Sequence, residues 1–144
     1  MASSVPSAVY LDSSAIVKLV VHEPESDALV AYLANARRLT SVLAAVEVPR
    51  AALLETGAAE TIPHTEALLR YFDLVELDEE LRGTAARTAP RQLRTLDAIH
   101  LASGLSLRDE IDAFVVYDRR LAAAAEAAGL PVESPGSVQR ENRG

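Results

Sequence analysis

The chain has 144 residues, 49% of them apolar, which suits one globular domain with a sizeable core and argues against disorder. Its 21 acidic against 14 basic side chains leave a formal net charge of −7, opposing diffuse attraction to nucleic acid, and no apolar run approaches the ~18 residues of a membrane span. With no cysteine, disulfides and thiolate metal sites are excluded, and with no basic-then-apolar leader at the N-terminus the expected location is the cytoplasm.

Val9-Tyr10-Leu11 reads as a short buried strand ending on Asp12. Ser13 and Ser14 then open a helix whose apolar residues recur at Ile16, Val17, Leu19 and Val20. His22-Glu23-Pro24-Glu25 breaks that pattern, and a second helix is predicted over 25–35 with Leu29, Val30 and Leu33 inward. A short strand over 39–42 precedes a helix within 42–56, stopped by Gly57. A further helix covers 63–70 and a third strand 72–77, after which Asp78 caps a helix reaching about 89, where Pro90 ends it. Thr95 starts a helix to about 107, a fourth strand spans 113–117, and a last helix spans 119–128. A fifth strand over 131–133 leaves 134–144 as a polar tail expected to fray. Strands separated by helices require crossover connections, so the prediction is one α/β domain over 1–144, with its core at about 8–133. Its mainly parallel sheet of four to five short strands carries helices on both faces.

Strand, acid and helix follow one another at Asp12 and again at Asp118, placing both acids at the carboxyl edge of the sheet, where open α/β folds bind ligands. Each acid also has a plain structural reading, since Asp is a favoured N-cap and first-turn residue. For Asp97 that reading makes Thr95 the cap and puts Asp97 in the first turn. Glu47 is harder to dismiss: on a helix it shares a face with Leu43, Ala51 and Leu54, where a carboxylate needs a partner. Arg50 is one such partner, and a cation shared with other acids is the alternative. Pro49 complicates this helix, by kinking it or delaying its start. The face of Asp97 carries His100, Leu101 and Gly104, with His100 read as a packed histidine. Oxygen-only ligands of this kind favour Mg²⁺ or Mn²⁺ over zinc.

Leu11-Asp12-Ser13-Ser14-Ala15 with Lys18-Leu19, Glu47 with Arg50-Ala51, the run Leu96-Asp97-Ala98-Ile99-His100-Leu101-Ala102, and Tyr117-Asp118-Arg119-Arg120-Leu121 occur here in that order. Together they resemble the PIN-domain family, and within it the VapC toxins of bacterial toxin–antitoxin pairs. The resemblance covers about 9–132, and it implies a parallel sheet whose acids converge around Mg²⁺ or Mn²⁺. It implies that Asp12, Glu47, Asp97 and Asp118 form an acidic quartet, with Asp12 and Asp97 as direct ligands. Glu47 and Asp118 would bind directly, through water, or with a second ion, and Ser13 and Thr95 would support the site by hydrogen bonds. Pro49 departs from the family pattern. The implied activity is cleavage of structured RNA, of the transfer or ribosomal class, held in check by a VapB-type antitoxin. Homodimers, and heterotetramers or larger assemblies with the antitoxin, are implied likewise.

Other functions remain open on the sequence. A phosphoacceptor receiver domain would want a lysine near the last strand, and the only lysine is Lys18. A PIN nuclease of RNA processing without an antitoxin, and a non-catalytic RNA- or partner-binding PIN module, are the other two. Arg82, Arg87, Arg91, Arg94, Arg119 and Arg120 are candidates for contacts to RNA phosphates or antitoxin carboxylates, against a plain reading as solvated surface.

Overall fold

Ala8-Val9-Tyr10-Leu11 and Ala113-Phe114-Val115 are buried at every residue, the pattern of central strands covered on both faces. They are β1 (Ala8–Leu11) and β4 (Ala113–Val115) of the computed structural model, which describes residues 5–138. Between them come α1 (Ser13–Val20), α2 (Ser26–Leu33), β2 (Arg37–Ser41), α3 (Ala44–Thr56), α4 (Thr61–Leu69), β3 (Phe72–Val75), α5 (Glu79–Ala86) and α6 (Thr95–Ser106). α7 (Arg119–Ala127) and β5 (Val132–Glu133) follow. The strands form one sheet in the order β3-β2-β1-β4-β5, and every neighbouring pair is parallel. The chain winds outward from β1 through β2 to β3, then crosses back to β4 and β5. Winding therefore reverses between β1 and β4, and the crevice at their carboxyl ends is the topological switch point.

Strand alternation sorts the core onto two faces. Val9 and Leu11 pack with Ile16, Leu29, Leu33 and Val48 beneath the first four helices. Ala8 and Tyr10 turn the other way, onto Leu101, Phe114 and Leu121 of α6, β4 and α7. A smaller cluster of Leu81, Ala85, Ile99 and Ala102 fixes α5 against α6. Lys18 is taken up by Glu23 and Glu25, at 2.9 and 2.8 Å, and braces the turn between α1 and α2. Among the described residues, no helix is long and apolar enough to cross a membrane.

Two expectations need correction. β3 stops at Val75 and β4 at Val115, each two residues short of the predicted ends, because their parallel ladders run out there. α3 begins at Ala44, inside the predicted 42–56, with the later start that Pro49 allowed, so Pro49 lies in its second turn. The missing N–H of Pro49 orphans the carbonyl of Ala45, an exposed residue that water can serve. The tail does not fray from 134: Ser134 is buried and donates to the carbonyl of Val116, and the Tyr117 hydroxyl donates to the carbonyl of Pro135. The remainder of the predicted tail, 139–144, lies outside the described residues.

Candidate active site

Asp12 leaves β1 and caps α1. Its Oδ1 accepts from the Ala15 N–H at 3.1 Å and from the Ser14 hydroxyl at 2.6 Å. Ser14 in turn accepts from the Tyr117 N–H at 3.1 Å, tying this corner to the end of β4. Asp118 caps α7 in the same way, its Oδ1 accepting from the Leu121 N–H at 2.9 Å. Capping and lining a site are thus not rival roles, since each carboxylate caps with one oxygen and keeps the other. Asp97 stands in the first turn of α6, and its Oδ2 accepts from Arg94 Nε at 3.1 Å. Arg94 Nη2 reaches Asp118 Oδ2 at 3.4 Å, so one guanidinium spans two of the four acids. Thr95 does not cap α6: the N-cap position is Arg94, without a side-chain cap, and Thr95 is exposed.

Burial at 3% exposure pushes the Asp12 carboxyl up to about 6, and the neighbouring Asp97 adds to the rise. His100, Ser14 and the Ala15 N–H hold back part of it. A carboxylate so raised is short of positive charge.

Glu47 has found partners other than Arg50. Its Oε1 accepts from the Ser13 hydroxyl at 2.7 Å and lies 2.8 Å from His100 Nε2. Burial opposes ionisation of Glu47, yet His100 and Ser13 outweigh it and hold the carboxyl below its ordinary value. Arg50 is exposed and forms no salt bridge among the described residues. The apolar stripe also faces the wrong way for the prediction: α3 buries Ala44, Val48 and Ala52, whereas Leu54 is 88% exposed. His100 and Tyr10 are the residues that sequence reasoning under-read. Both are fully buried, and Tyr10 Oη sits 2.7 Å from His100 Nδ1. The available signal was strand alternation, which puts Tyr10 two residues before Asp12.

Among the described residues no three carboxylate or imidazole side chains enclose a point where a metal ion would sit. Donor chemistry nevertheless fits a hard divalent cation. All four acids offer oxygen, Asp12 forms no ion pair among the described residues, and the positive charge between Asp97 and Asp118 comes from the exposed Arg94. Two cavities flank these acids. One of about 540 Å³ is lined by Ser13, Val17, Leu43, Val46, Glu47 and Leu96, and the other, of about 730 Å³, by Arg82, Arg87, Arg91, Thr95 and Ile99.

The model of the PIN domain family matches residues 9–127. Ribonuclease VapC46 of Mycobacterium tuberculosis (strain ATCC 25618 / H37Rv) is 45% identical over 130 residues, covering 90% of this chain and 98% of that relative. The crystal structure of M. tuberculosis VapC20, a sarcin–ricin loop cleaving toxin, matches with a TM-score of 0.70 at 16% identity over 89% of this chain and 100% of that one. A toxin–antitoxin complex from Klebsiella pneumoniae gives a TM-score of 0.65 at 19% identity, over 90% and 98% of the two chains. The likeness runs from β1 through α7, and the chain belongs to the PIN domain family, as a member of the VapC type.

Proposed function

We propose that this chain is a metal-dependent endoribonuclease and the toxin of a toxin–antitoxin pair. The observation that carries the reading is the placement of Asp12, Glu47, Asp97 and Asp118, from four separate segments, around the switch point between β1 and β4. Asp12, Asp97 and Asp118 would hold Mg²⁺ or Mn²⁺, with Glu47 beside them. Such a cation would supply a water of lowered pKa and charge stabilisation for the departing oxygen of a phosphodiester. The chain's own residues do the rest. Ser14 and the Ala15 N–H orient Asp12, the Leu121 N–H orients Asp118, and Ser13 with His100 orients Glu47. Arg94, once displaced from the acids, reaches the same region and can meet a phosphate of the RNA.

An antitoxin is supported by the apolar cavity that opens beside Glu47, which suits an inserted peptide carrying a basic group toward the acids. Self-pairing belongs to the same proposal and is read by light scattering at micromolar concentration. Protein freed of antitoxin is expected to cleave single-stranded stretches of structured RNA with Mg²⁺ or Mn²⁺ and to stop in EDTA. Cleavage that continues undiminished through thorough chelation would overturn the metal mechanism. Failure to co-purify with the product of an adjacent small reading frame would favour an RNA-processing nuclease instead.

A further inference from the structure

Among the described residues, Arg94 is the one arginine that bonds to any of the four acids. Its Nε donates to Asp97 Oδ2 at 3.1 Å and its Nη2 to Asp118 Oδ2 at 3.4 Å. Asp118 spends Oδ1 on the Leu121 N–H, so Oδ2 is the oxygen it has left for a cation, and Arg94 is already on it. Asp97 first, then Asp118 and Glu47, hold the guanidinium above its ordinary value, so three of the four acids feel its charge. The Arg94 side chain is 69% exposed, against 14% for Asp97 and 32% for Asp118, which puts the guanidinium on the solvent side of both carboxylates. The Arg94 carbonyl accepts from the Ala98 N–H at 2.8 Å, fixing its backbone at the start of α6. Leaving the acids therefore takes a rotation of the side chain alone, with no helix to move.

We propose that Arg94 is an autoinhibitory counter-ion: it occupies the outward oxygens of Asp97 and Asp118 until a divalent cation displaces it, so that loading the site and freeing Arg94 are one event. The competition rests on the ribonuclease reading above, which makes these acids the ligands of the cation. Two physical requirements meet in the arrangement. Carboxylates gathered at one sheet edge repel one another, and a positive charge supplied by the chain offsets that repulsion. The offset must also be surrendered easily, and an ion pair made by an exposed arginine is weak and screened by salt. The planar guanidinium offers several N–H groups in a fork, so one side chain reaches two acids where an ammonium would serve as a point charge. A divalent ion that also draws on Asp12 carries twice the charge and gathers more oxygens than Arg94 does.

The test uses the full chain, the variant Arg94→Gln, and Arg119→Gln as its control. Arg119 is exposed, follows Asp118 in the chain and carries the same charge, but forms no salt bridge among the described residues. In calorimetric titrations of protein stripped of metal, Arg94→Gln should bind Mn²⁺ about fivefold more tightly than the wild type, the scale of two weak exposed pairs. Arg119→Gln should stay within about twofold of the wild type, since an exposed charge without a bond to the acids is screened. Nitrogen-resolved NMR gives a second readout, with the Arg94 Nε–H signal identified by its loss in Arg94→Gln. That signal should stand at a hydrogen-bonded position in stripped wild-type protein and move to the position of free arginine as Mg²⁺ is added. Equal or weaker Mn²⁺ binding by Arg94→Gln, a gain as large in Arg119→Gln, or an Nε–H signal that saturating Mg²⁺ leaves in place would each overturn the proposal while the metal site stands. Binding by Arg94→Gln where the wild type shows none would support it. If neither protein binds Mn²⁺, the metal-dependent ribonuclease reading fails and the proposal falls with it.

Discussion

Asp12 carries a charge that the fold does not welcome. Its carboxyl stands at about 6 instead of the ordinary 3.8, so its contribution to stability is present below the unfolded value and lost as pH rises through about 6. At neutral pH the ionised group therefore opposes folding by about 3 kcal/mol. Asp12→Asn removes the charge and keeps an oxygen for the Ala15 N–H, because Asn caps about as well as Asp. The metal-free variant should melt at or above the metal-free wild type at neutral pH, by up to about 10 °C. That advantage should vanish near pH 4, where wild-type Asp12 is protonated. Mg²⁺ or Mn²⁺ should raise the wild-type melting temperature and leave the variant nearly unmoved. Equal shifts in the two proteins would remove Asp12 from the metal site. Glu47 invites a parallel comparison with Arg50. Glu47→Gln should lower cleavage about a hundredfold, whereas Arg50→Gln, which breaks no contact to Glu47, should retain it. Equal losses of activity and stability would restore the ion pair to Arg50. The acids themselves were legible because strand, acid and helix recur in the sequence with their own local chemistry. Glu47's partner was not, since His100 is 53 residues away and no spacing rule connects them.

At the level of elements, helix α6 comes unusually close to strand β4. A Cβ at Gly104 would lie 2.6 Å from Phe114 Cδ1 and 2.7 Å from Cε1, closer than carbon atoms approach. Phe114 cannot swing aside, being fully buried and stacked on Tyr10. Gly104→Ala should gain about 1 kcal/mol of helix propensity and lose about 1–3 kcal/mol to overpacking. A lower melting temperature is expected, with cleavage reduced further because a displaced Phe114 moves Tyr10 beneath the acids. A melting temperature equal to or above the wild type would show that the interface yields at little cost. Apolar periodicity and the stops at Gly57 and Pro90 are local, so the helices and strands of the described residues were legible in order. Sequence pattern misjudged α3, where Ala51 and Leu54 read with Glu47 as a core stripe but are exposed, while Glu47 itself turns inward to His100. The inward face consists of Ala44, Val48 and Ala52, small residues that let α3 sit close and that carry a weak periodic signal.

Across the whole molecule the net charge of −7 should repel RNA, so a nuclease built on this chain must concentrate its few cations where they count. The six arginines near the third and fourth acids are not one patch. Arg94 is held by Asp97 and Asp118, while Arg120 lines a separate, alanine-rich groove with Ala123 and Ala127. Arg82, Arg87 and Arg91 share the cavity of about 730 Å³ that ends at Thr95, over a floor of Leu77, Ala85, Ala98 and Ile99. None of the three forms a salt bridge among the described residues, and Arg82 spends a single N–H on the carbonyl of Leu77. Three unneutralised guanidiniums over an apolar floor, two residues along α6 from Asp97, suit a backbone phosphate with its base laid against the floor. Replacing all three with Gln should raise KM for RNA about tenfold and leave kcat nearly unchanged, because none of them contacts the acids. Salt dependence gives the sharper measurement. Each lost phosphate contact on a single strand lowers the slope of log K against log salt by about 0.7, so the triple variant should lose about 2. Anisotropy of a labelled single-stranded RNA, titrated with metal-free protein at several salt concentrations, reads that slope without cleavage. An unchanged slope would return these arginines to plain solvated surface. A reduced slope with a lower kcat would mean instead that they reach the reacting phosphate itself.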